Sequence, residues 1–396
     1  MALPLEGIVV ADLTQNVAGP FCTQILGDMG ADVVKIERPG RGDDARAWAP
    51  PWWGDESAYF MAFNRNKRSL ALDLKTEAGR AVLNRLVARS DVFVQSLRAG
   101  AAAGLGLDFC AARALNPRIV YCAITAFGTQ GPLRDLPGYD PMMQAYAGLM
   151  SVNGHPGHEP ARVGTSIVDM GTGMWAALGL VAALRRRDAT GEAQEVTTAL
   201  FDTTLMWVSH HVMAYLAGGE VPQPQGSGVA VIAPYQAFPT ADGWLMIAAP
   251  SDAMFGRLVE ALGAPDLARD PRFADNPSRV AHREALVAAL AALTRAKKTP
   301  ELADLLRPAG VPCSPILALD RVLDEPQTRE SGMLARAPHP RLGEWTSVAL
   351  PIAWNGRRPE PRRPPPRLGE HSEDVLAWLG LTGDDVRDLR AQRVIQ

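Results

Sequence analysis

Short apolar segments that alternate with helical ones constrain the fold of this chain more than any other feature. Five such segments in the first 130 residues predict strands, over residues 7–13, 31–37, 69–74, 91–95 and 118–125. A helix is predicted over residues 20–29, and Thr76 is placed to cap another helix. This alternation is typical of a parallel sheet covered on both faces, so the sequence predicts an α/β fold with a Rossmann-like sheet.

Three further elements extend this first domain to residue 217. They are a helix, a strand and a second helix, over about residues 170–187, 194–198 and 201–216. The Gly/Pro-rich segment 218–230 then interrupts the pattern and is predicted to be a linker.

A smaller α+β domain is predicted over residues 231–320. It begins with a hairpin that turns at Asp242-Gly243 and continues with three helices. Residues 321–367 are predicted to be a return linker, whose Pro/Arg-rich part is interpreted as a solvated, extended chain. The last part, 368–396, begins with a helix over about residues 372–379.

The composition excludes several classes of function. The chain has 396 residues, 47% hydrophobic and 21% charged, with a net charge of −3, which gives no electrostatic reason to bind nucleic acid or an anionic membrane. No apolar run of about 18 residues predicts a membrane span, and the first residues do not have the pattern of a secretory signal. The four cysteines show no CxxC pair, which favours free thiols in a reducing cytoplasm over a disulfide, a metal site or a catalytic thiol.

The segment SIVDMGTGMWAALGLVAAL, residues 166–184, contains a single charge, Asp169. One interpretation is a helix N-cap, because Asp is favoured there and a helix follows. The other is a nucleophile in a pocket, and the two are compatible because a helix N-terminus stabilises an ionised carboxylate. Gly171 and Gly173 would leave room for a substrate and offer amides to an oxyanion, or they are packing glycines.

The opening strand, turn and helix have the layout of a dinucleotide-binding fold. The first turn, TQNVAGPF, lacks the GxGxxG glycines and places Pro20 at the start of the helix, so NAD binding is disfavoured. His155 and His158 lie in a Gly/Pro-rich segment, which favours a mobile loop over a metal or acid–base site.

Long motifs spread over nearly the whole chain resemble those of the family III (CaiB/BaiF) CoA-transferases. Together with the Asp169 segment they are LTQNVAGPFCTQILGDMGADVVKIERPGRGDDAR, NRNKRSLALDLK, NPRIVYCAITAFGTQGP, YDPMMQAYAGLMS and LGEHSEDVL. The resemblance implies a large domain built from residues 1–217 and 368–396, a small domain over 231–320, and a homodimer of interlocked rings. It also implies that Asp169 is the nucleophile.

The resemblance implies a set of CoA contacts on the large domain. They are Gln15, Asn16, Val17, Arg38, Leu72, Lys75, Ser96, Leu97 and Arg98. The family often has ENFRPG where this chain has QSLRAG, so Ser96 and Leu97 replace Asn and Phe, whereas Arg98 is retained. A basic residue that some members carry a little further on is replaced by Gly104.

Three residues are candidates for contact with the acid substrate. Arg46 is expected to hold a carboxylate or to form a surface salt bridge, and Trp48 and Tyr139 are expected to line the acyl pocket or to pack in the core. The Gly-rich loop that covers the active site in formyl-CoA transferase is not visible in this sequence, which argues against formate and oxalate as substrates.

The chemistry implied for Asp169 needs no metal, ATP or tightly bound cofactor, because the energy of the thioester is conserved and acyl-CoA is itself a substrate. The expected donor is an acyl-CoA such as succinyl-CoA, and the expected acceptor is a small carboxylic or dicarboxylic acid such as malate, mesaconate, itaconate or glutarate. An aromatic or carnitine-like acid is the alternative acceptor. One alternative is an α-methylacyl-CoA racemase of the same superfamily, which needs an acid–base pair that typically includes a His, and GTQGPLRDLPGYD offers none. The others are a non-catalytic acyl-CoA-binding protein and an NAD-dependent oxidoreductase.

Overall fold

The computed structural model describes residues 2–98 and 100–396, and the chain divides into two compact units. The first unit comprises the chain up to Leu149, Val163–Gly218 and Pro326–Gln396. The second comprises Met150–Arg162 and Gly219–Glu325. The sequence-based boundaries keep residues 150–162 with the first 217 residues, whereas here this segment groups with the second unit.

Thirteen strands form within the described ranges. They are β1 (Val9–Leu13), β2 (Asp32–Glu37), β3 (Trp52–Trp53), β4 (Glu56–Ser57), β5 (Lys67–Ala71), β6 (Val92–Gln95), β7 (Val120–Thr125), β8 (Gln194–Ala199), β9 (Tyr235–Pro239), β10 (Trp244–Ala248), β11 (Cys313–Pro315), β12 (Leu334–His339) and β13 (Gly343–Val348). Six of them form one parallel sheet in the order β5-β2-β1-β6-β7-β8. These six coincide with the predicted strands, which confirms the α/β fold with a parallel sheet.

The order of the strands reverses at β1. The chain adds β2 and then β5 on one side of β1, with Val10 paired to Val33, and adds β6, β7 and β8 on the other side, with Val10 paired to Val92. The loops after β1 and β6 therefore diverge at the carboxyl edge of the sheet. Open parallel sheets bind ligands in the crevice at such a reversal.

Helices connect the strands of the sheet and make up much of the second unit. They are α1 (Ala18–Asp28), α2 (Ala58–Phe63), α3 (Glu77–Arg89), α4 (Ala101–Gly104), α5 (Phe109–Leu115), α6 (Asp140–Tyr146), α7 (Leu149–Val152), α8 (Ile167–Thr190), α9 (Leu200–Trp207), α10 (Ser209–Gly218), α11 (Asp252–Ala261), α12 (Asn276–Ala281), α13 (Arg283–Thr294), α14 (Thr299–Leu306), α15 (Leu319–Asp324), α16 (Pro326–Glu330), α17 (Ser372–Trp378) and α18 (Gly383–Ala391). Short 3-10 helices cover Asp44–Ala47, Pro265–Ala268 and Pro271–Phe273. The Thr76 hydroxyl accepts a hydrogen bond from the Gly79 amide at 3.0 Å, so the predicted cap of α3 is confirmed.

Both faces of the sheet are covered by helices. Because side chains alternate along each strand, neighbouring residues of one strand belong to two different cores. Val10 belongs to a core that includes Leu26 of α1 and Leu180 of α8. Its neighbour Ala11 belongs to the opposite core, which α3, α17 and α18 complete with residues such as Leu83. The last helices of the chain thus pack on the same sheet as the first ones, and α18 is an element that the sequence analysis did not predict.

Helix α8 is the longest helix within the described ranges and lies close against α1. A Cβ on Gly173 would come within 2.5 Å of the Ala18 carbonyl oxygen, so only glycine allows this separation. The helix is also long and apolar enough, by length and composition alone, to cross a membrane. Half of that apolar window is buried in the protein, as expected for a core helix of a parallel sheet.

The Pro/Arg-rich return segment is held on the first unit by specific hydrogen bonds. The Arg362 guanidinium donates to the carbonyls of Gly27 and Ala31, at 2.7 and 2.9 Å, where α1 ends. The Asn66 side chain accepts from the amides of Arg362 and Arg363 at 2.7 and 3.0 Å. The prediction of a solvated chain is therefore wrong for these residues, and the hairpin of β12 and β13 occupies residues that were predicted to be linker.

The second unit contains a three-stranded sheet covered by helices. β9 and β10 form the predicted hairpin, with the Thr240 amide bonded to the Gly243 carbonyl at 2.9 Å, and β11 pairs with β10 on its other side. The core includes Phe238, Leu258 and Leu290 from the sheet, α11 and α13.

Candidate active site

The predicted CoA contacts lie at the carboxyl ends of four neighbouring strands. They comprise Gln15, Asn16 and Val17 after β1, Arg38 after β2, Leu72 and Lys75 after β5, and Ser96, Leu97 and Arg98 after β6. These strands are adjacent in the order β5-β2-β1-β6. Because parallel strands end at one edge, the structure brings all nine residues to the edge where this fold class binds ligands.

The loop after β1 is held in place by a buried ion pair. Lys35 Nζ donates to Asp43 Oδ2 at 2.8 Å and to the Thr14 carbonyl at 2.9 Å. Asp43 Oδ1 accepts from the amide of Asn16, whose φ of 69° is in the left-handed region that Asn tolerates better than most residues. Lys35 and Asp43 could not be identified from the sequence, because nothing local shows that a charged residue of a central strand has a buried partner.

The loop after β6 contacts the loop after β1 through Ser96. The Ser96 hydroxyl accepts a hydrogen bond from the Gln15 amide at 3.3 Å. The Leu97 amide donates to the side chain of Gln95 at 2.6 Å, and Arg98 is exposed. Serine at the position where Asn is expected therefore joins the two loops at the reversal of strand order.

The basic residues among these candidates differ in their surroundings. Arg38 is 53% exposed and donates to Asp44 at 2.7 Å, so its ion pair is open to solvent. The Lys75 side chain is exposed, and Leu72 is buried in a bridge with Ile395 of the C-terminal segment. Exposed ion pairs are weak, so Arg38 can exchange Asp44 for a phosphate at little cost.

Arg46 does not have the environment expected of a substrate-binding residue. Its Nε and Nη2 donate to the two carboxylate oxygens of Glu37, each at 2.8 Å, and Nη2 also donates to the Pro366 carbonyl. The guanidinium lies 3.7 Å from the centroid of the Phe60 ring. Burial opposes ionisation of Glu37 and is the largest single effect, but the hydrogen bonds and charge of Arg46, the charge of Lys35 and the hydrogen bond from Ser69 together outweigh it and lower the pKa of Glu37. Arg46 thus forms an ion pair, as one of the two interpretations has it, but the pair with Glu37 is buried and not on the surface. Contact of Arg46 with a substrate stays a prediction.

The two aromatic candidates lie on different loops. Trp48 is half-buried and meets Tyr59 edge-on, with 6.3 Å between the ring centroids. Tyr139 is 57% exposed and directly precedes α6, whose first residue contacts the start of α8. Their contact with an acyl group stays a prediction.

Asp169 is the third residue of α8. The helix begins at Ile167 with Ser166 as its N-cap, so the N-cap interpretation of Asp169 is wrong. Because α8 connects two neighbouring parallel strands, β7 and β8, it runs back along the sheet, and its first turn lies at the carboxyl edge. Asp169 therefore lies at the same edge as the predicted CoA contacts.

Asp140 supplies the cap that Asp169 does not. Its Oδ2 accepts hydrogen bonds from the amides of Val168 and Asp169, at 2.7 and 3.1 Å. Its Oδ1 accepts from the Gln144 side chain at 2.6 Å, and Gln144 Oε1 accepts from the Val163 amide at 2.8 Å. Asp140 was missed from the sequence: Pro141 marks the start of a helix, but nothing local shows that this carboxylate meets a helix that begins 27 residues later.

The environment of Asp169 keeps its carboxyl group basic. Burial raises the pKa of Asp169 to about 7, and the nearby Asp140 carboxylate adds to the rise. Within residues 2–98 and 100–396 we find no hydrogen bond to either carboxylate oxygen of Asp169. A carboxylate with these properties is a stronger nucleophile than a solvated one and is still ionised in an appreciable fraction near neutral pH.

Gly171 and Gly173 have the contacts of packing glycines. A Cβ on Gly171 would lie 2.6 Å from the Trp207 ring, and one on Gly173 would meet the backbone of α1. Both residues lie inside α8, where amides bond along the helix. The predicted use of these amides at an oxyanion is therefore wrong.

The described residues contain no group of three or more His, Cys, Asp or Glu side chains that could hold a metal ion. The His155 and His158 rings meet edge-on in the second unit, with centroids 6.0 Å apart.

Comparison with known proteins relates nearly the whole chain to one family. A family model described as CoA-transferase family III matches residues 5–372. A succinate–glutarate CoA-transferase from Agrobacterium fabrum is 37% identical over 95% of this chain and 96% of its own length. An acetyl-CoA:oxalate CoA-transferase from Acetobacter aceti is 38% identical over 84% of this chain and 86% of its own. A crystal structure of a CAIB/BAIF family protein from Brucella suis superimposes with a TM-score of 0.86 at 38% identity, over 96% of this chain and 100% of that one.

Proposed function

Because the chain belongs to CoA-transferase family III, we propose that Asp169 is the covalent nucleophile of its CoA-transfer reaction. The observation that supports this role is the basic carboxyl group of Asp169, with a pKa of about 7, at the carboxyl edge of the sheet. A nucleophile needs a lone pair that is not held by strong donors, and the described residues leave both oxygens of this carboxylate without one.

The reaction proceeds in four acyl transfers. An Asp169 carboxylate oxygen attacks the thioester carbonyl of the donor, and CoA leaves as the thiolate, which gives a mixed anhydride. The thiolate attacks the aspartyl carbonyl, the donor acid leaves as a carboxylate, and an aspartyl-CoA thioester remains. The acceptor carboxylate attacks this thioester and expels the thiolate, which then attacks the acceptor carbonyl. Acceptor acyl-CoA leaves and the Asp169 carboxylate is restored.

We infer that the acceptor is a dicarboxylic acid and that succinyl-CoA is a donor. The Agrobacterium relative is named for succinate and glutarate, and the Acetobacter relative for oxalate. The missing Gly-rich loop argues against oxalate as a substrate, whereas the Acetobacter relative is named for it. Transfer activity with a series of dicarboxylates from oxalate to glutarate, including malate, mesaconate and itaconate, distinguishes these two possibilities.

CoA is proposed to bind along the carboxyl ends of β5, β2, β1 and β6. The nine candidate contacts span these ends, and Arg38, Lys75 and Arg98 offer exposed cations for the phosphates. Lysine and arginine bind phosphate by charge-assisted hydrogen bonds, so loss of either Arg38 or Lys75 should weaken binding by about 1–3 kcal/mol.

A homodimer, with the interlocked arrangement that the family resemblance implies, is also proposed. Helices α8, α9 and α10 expose large apolar side chains, including Leu178, Met206, Met213 and Leu216, each more than half exposed in the single chain. An apolar surface of this kind is typical of a protein–protein interface, and light scattering at micromolar concentration tests for a dimer.

We infer a cytoplasmic location because all four cysteines are free thiols, as expected in a reducing compartment.

Mass spectrometry of the peptide that contains residue 169 tests the proposed function. The protein is incubated with succinyl-CoA, glutaryl-CoA and acetyl-CoA in turn, with and without hydroxylamine. A CoA-sized adduct on that peptide is expected, and it should be absent from Asp169→Asn. Asp188→Asn, an exposed change at the far end of the same helix, is the matched control and should form the adduct normally. Full transfer activity in Asp169→Asn would refute the proposal.

A further inference from the structure

Resting on the proposed role of Asp169, we propose that Asp140 is a positioning residue of the transfer reaction. Its carboxylate binds the first-turn amides of α8, so these amides do not bind the carboxylate of Asp169 and the nucleophile stays available to the thioester.

The amides of the first helical turn are the donors that an acidic side chain in that turn normally meets. In α8 each of them has another acceptor. The Ile167 amide donates to the Thr165 carbonyl at 2.9 Å, and the amides of Val168 and Asp169 donate to Asp140 Oδ2. Asp169 thus lies at a helix N-terminus without the hydrogen bonds that would hold its carboxylate there.

Asp140 is itself held rigidly. Its side chain is buried, with 2% of the residue exposed, and Gln144 one turn later in α6 is excluded from solvent and donates to its second oxygen. The side-chain oxygen of Gln144 accepts a hydrogen bond from the backbone amide of Val163, in the segment that leads into α8. One short helix therefore fixes both the first turn of α8 and the chain that enters it, and so sets the direction in which the Asp169 side chain leaves the helix.

The charge of Asp140, like its hydrogen bonds, favours nucleophilic attack by Asp169. Two causes raise the pKa of Asp169, burial and the repulsion from Asp140, and within the described ranges Asp140 is the one charged group that contributes. A more basic carboxylate is a better nucleophile once it is ionised, so Asp140 favours attack both by geometry and by charge.

Asp140→Asn tests the inference, because it removes the charge and leaves only one acceptor oxygen, so either the first-turn amides of α8 or the Gln144 side chain loses its partner. At pH 8 we expect kcat to fall about 10- to 100-fold, as for a misplaced reacting group, and KM for acyl-CoA to change less than about threefold, because the proposed CoA contacts lie on other loops. The acidic limb of kcat/KM against pH should move from near 7 to lower pH. A role in folding alone would lower stability and leave that limb in place.

Gln144→Leu is the second variant, since it keeps the Asp140 carboxylate and removes its support. A smaller fall in kcat is expected, again with an unchanged KM, and Asp188→Asn should match the unmodified protein. If Asp140→Asn does not fold, unchanged kcat in Gln144→Leu overturns the inference. If Asp169→Asn gives no adduct while Asp140→Asn keeps the normal kcat and acidic limb, the inference fails and the proposed function stands. An adduct in Asp169→Asn would instead refute the proposed function.

Discussion

Lys35 Nζ lies 2.8 Å from Asp43 Oδ2, and both side chains are excluded from solvent. The pair joins two loops at the carboxyl edge of the sheet, because Lys35 also donates to the Thr14 carbonyl and Asp43 also accepts from the Asn16 amide. Buried ion pairs add little net stability compared with an apolar pair, so we assign to this pair the role of fixing the geometry of the two loops.

Asp43→Asn should loosen the loop that is proposed to bind CoA. Lys35 would lose its charged partner, which costs about 3–5 kcal/mol when one partner of a buried pair is removed. We expect the free energy of unfolding to fall by about that amount in a urea titration, and KM for acyl-CoA to rise about tenfold or more, with a smaller change in kcat. Asp44→Asn, the neighbouring acid in an exposed pair with Arg38, is the control and should leave stability nearly unchanged. Equal KM values for the two variants would contradict this role of Asp43.

The pH dependence of the first acyl transfer should follow the ionisation of Asp169. The carboxyl group must be ionised to attack, and burial with the repulsion from Asp140 raises its pKa to about 7. The rate of adduct formation in a single turnover should therefore rise about tenfold per pH unit below 7 and level off above it. A rate that is already maximal at pH 5 would contradict this assignment.

Asp169→Asn should be more stable than the unmodified protein at high pH. An acid whose pKa rises on folding binds its proton more tightly in the native state, so the native protein loses stability as the pH rises from about 4 to about 7. The change from 3.8 to about 7, at about 1.4 kcal/mol per pH unit, amounts to as much as about 4 kcal/mol. Urea titrations should show the gain at pH 8 and none at pH 4. Equal stability at pH 8 would contradict the elevated pKa.

Gly173→Ala should separate α8 from α1. The added methyl would lie 2.5 Å from the Ala18 carbonyl oxygen, and backbone at that distance cannot give way without movement of a helix. We expect a loss of about 1–3 kcal/mol in the free energy of unfolding, together with a fall in kcat, because α8 also carries Asp169. Gly256→Ala is the matched control: it lies inside α11 with no atom within 4 Å of its added Cβ, and it should stabilise by about 0.5–1 kcal/mol.

The sequence predicted those parts of the fold that depend on local pattern. All six strands of the large sheet and the cap of α3 are marked by local residue patterns that a short window reveals. The parts that it missed depend on contacts between distant residues. Arg362 has the sequence context of a solvated linker, yet it binds carbonyls at the end of α1, more than 330 residues away.

The same distinction holds within the candidate site. Asp169 was identified because a single charge in an apolar segment is visible locally, and its position at the carboxyl edge follows from the order of the strands. Its cap, Asp140, could not be inferred, because the acceptor of a helix-terminal amide is chosen by tertiary packing. Arg46 was predicted either to bind a substrate carboxylate or to form a surface salt bridge, because a lone motif shows a cation but does not show its buried partner, Glu37.

Arg46→Gln distinguishes a structural role for this arginine from the substrate contact first expected of it. The change leaves Glu37 buried without its bidentate partner, so the free energy of unfolding should fall by about 3–5 kcal/mol. KM for the acceptor acid should change less than about twofold, because the guanidinium is already bound to Glu37 and the Pro366 carbonyl. Arg41→Gln, a change on the same loop in an exposed pair with Asp44, is the control and should alter stability by less than about 0.5 kcal/mol. A large rise in KM for the acid without loss of stability would instead show that Arg46 binds the substrate, since a residue that binds substrate need not support the fold.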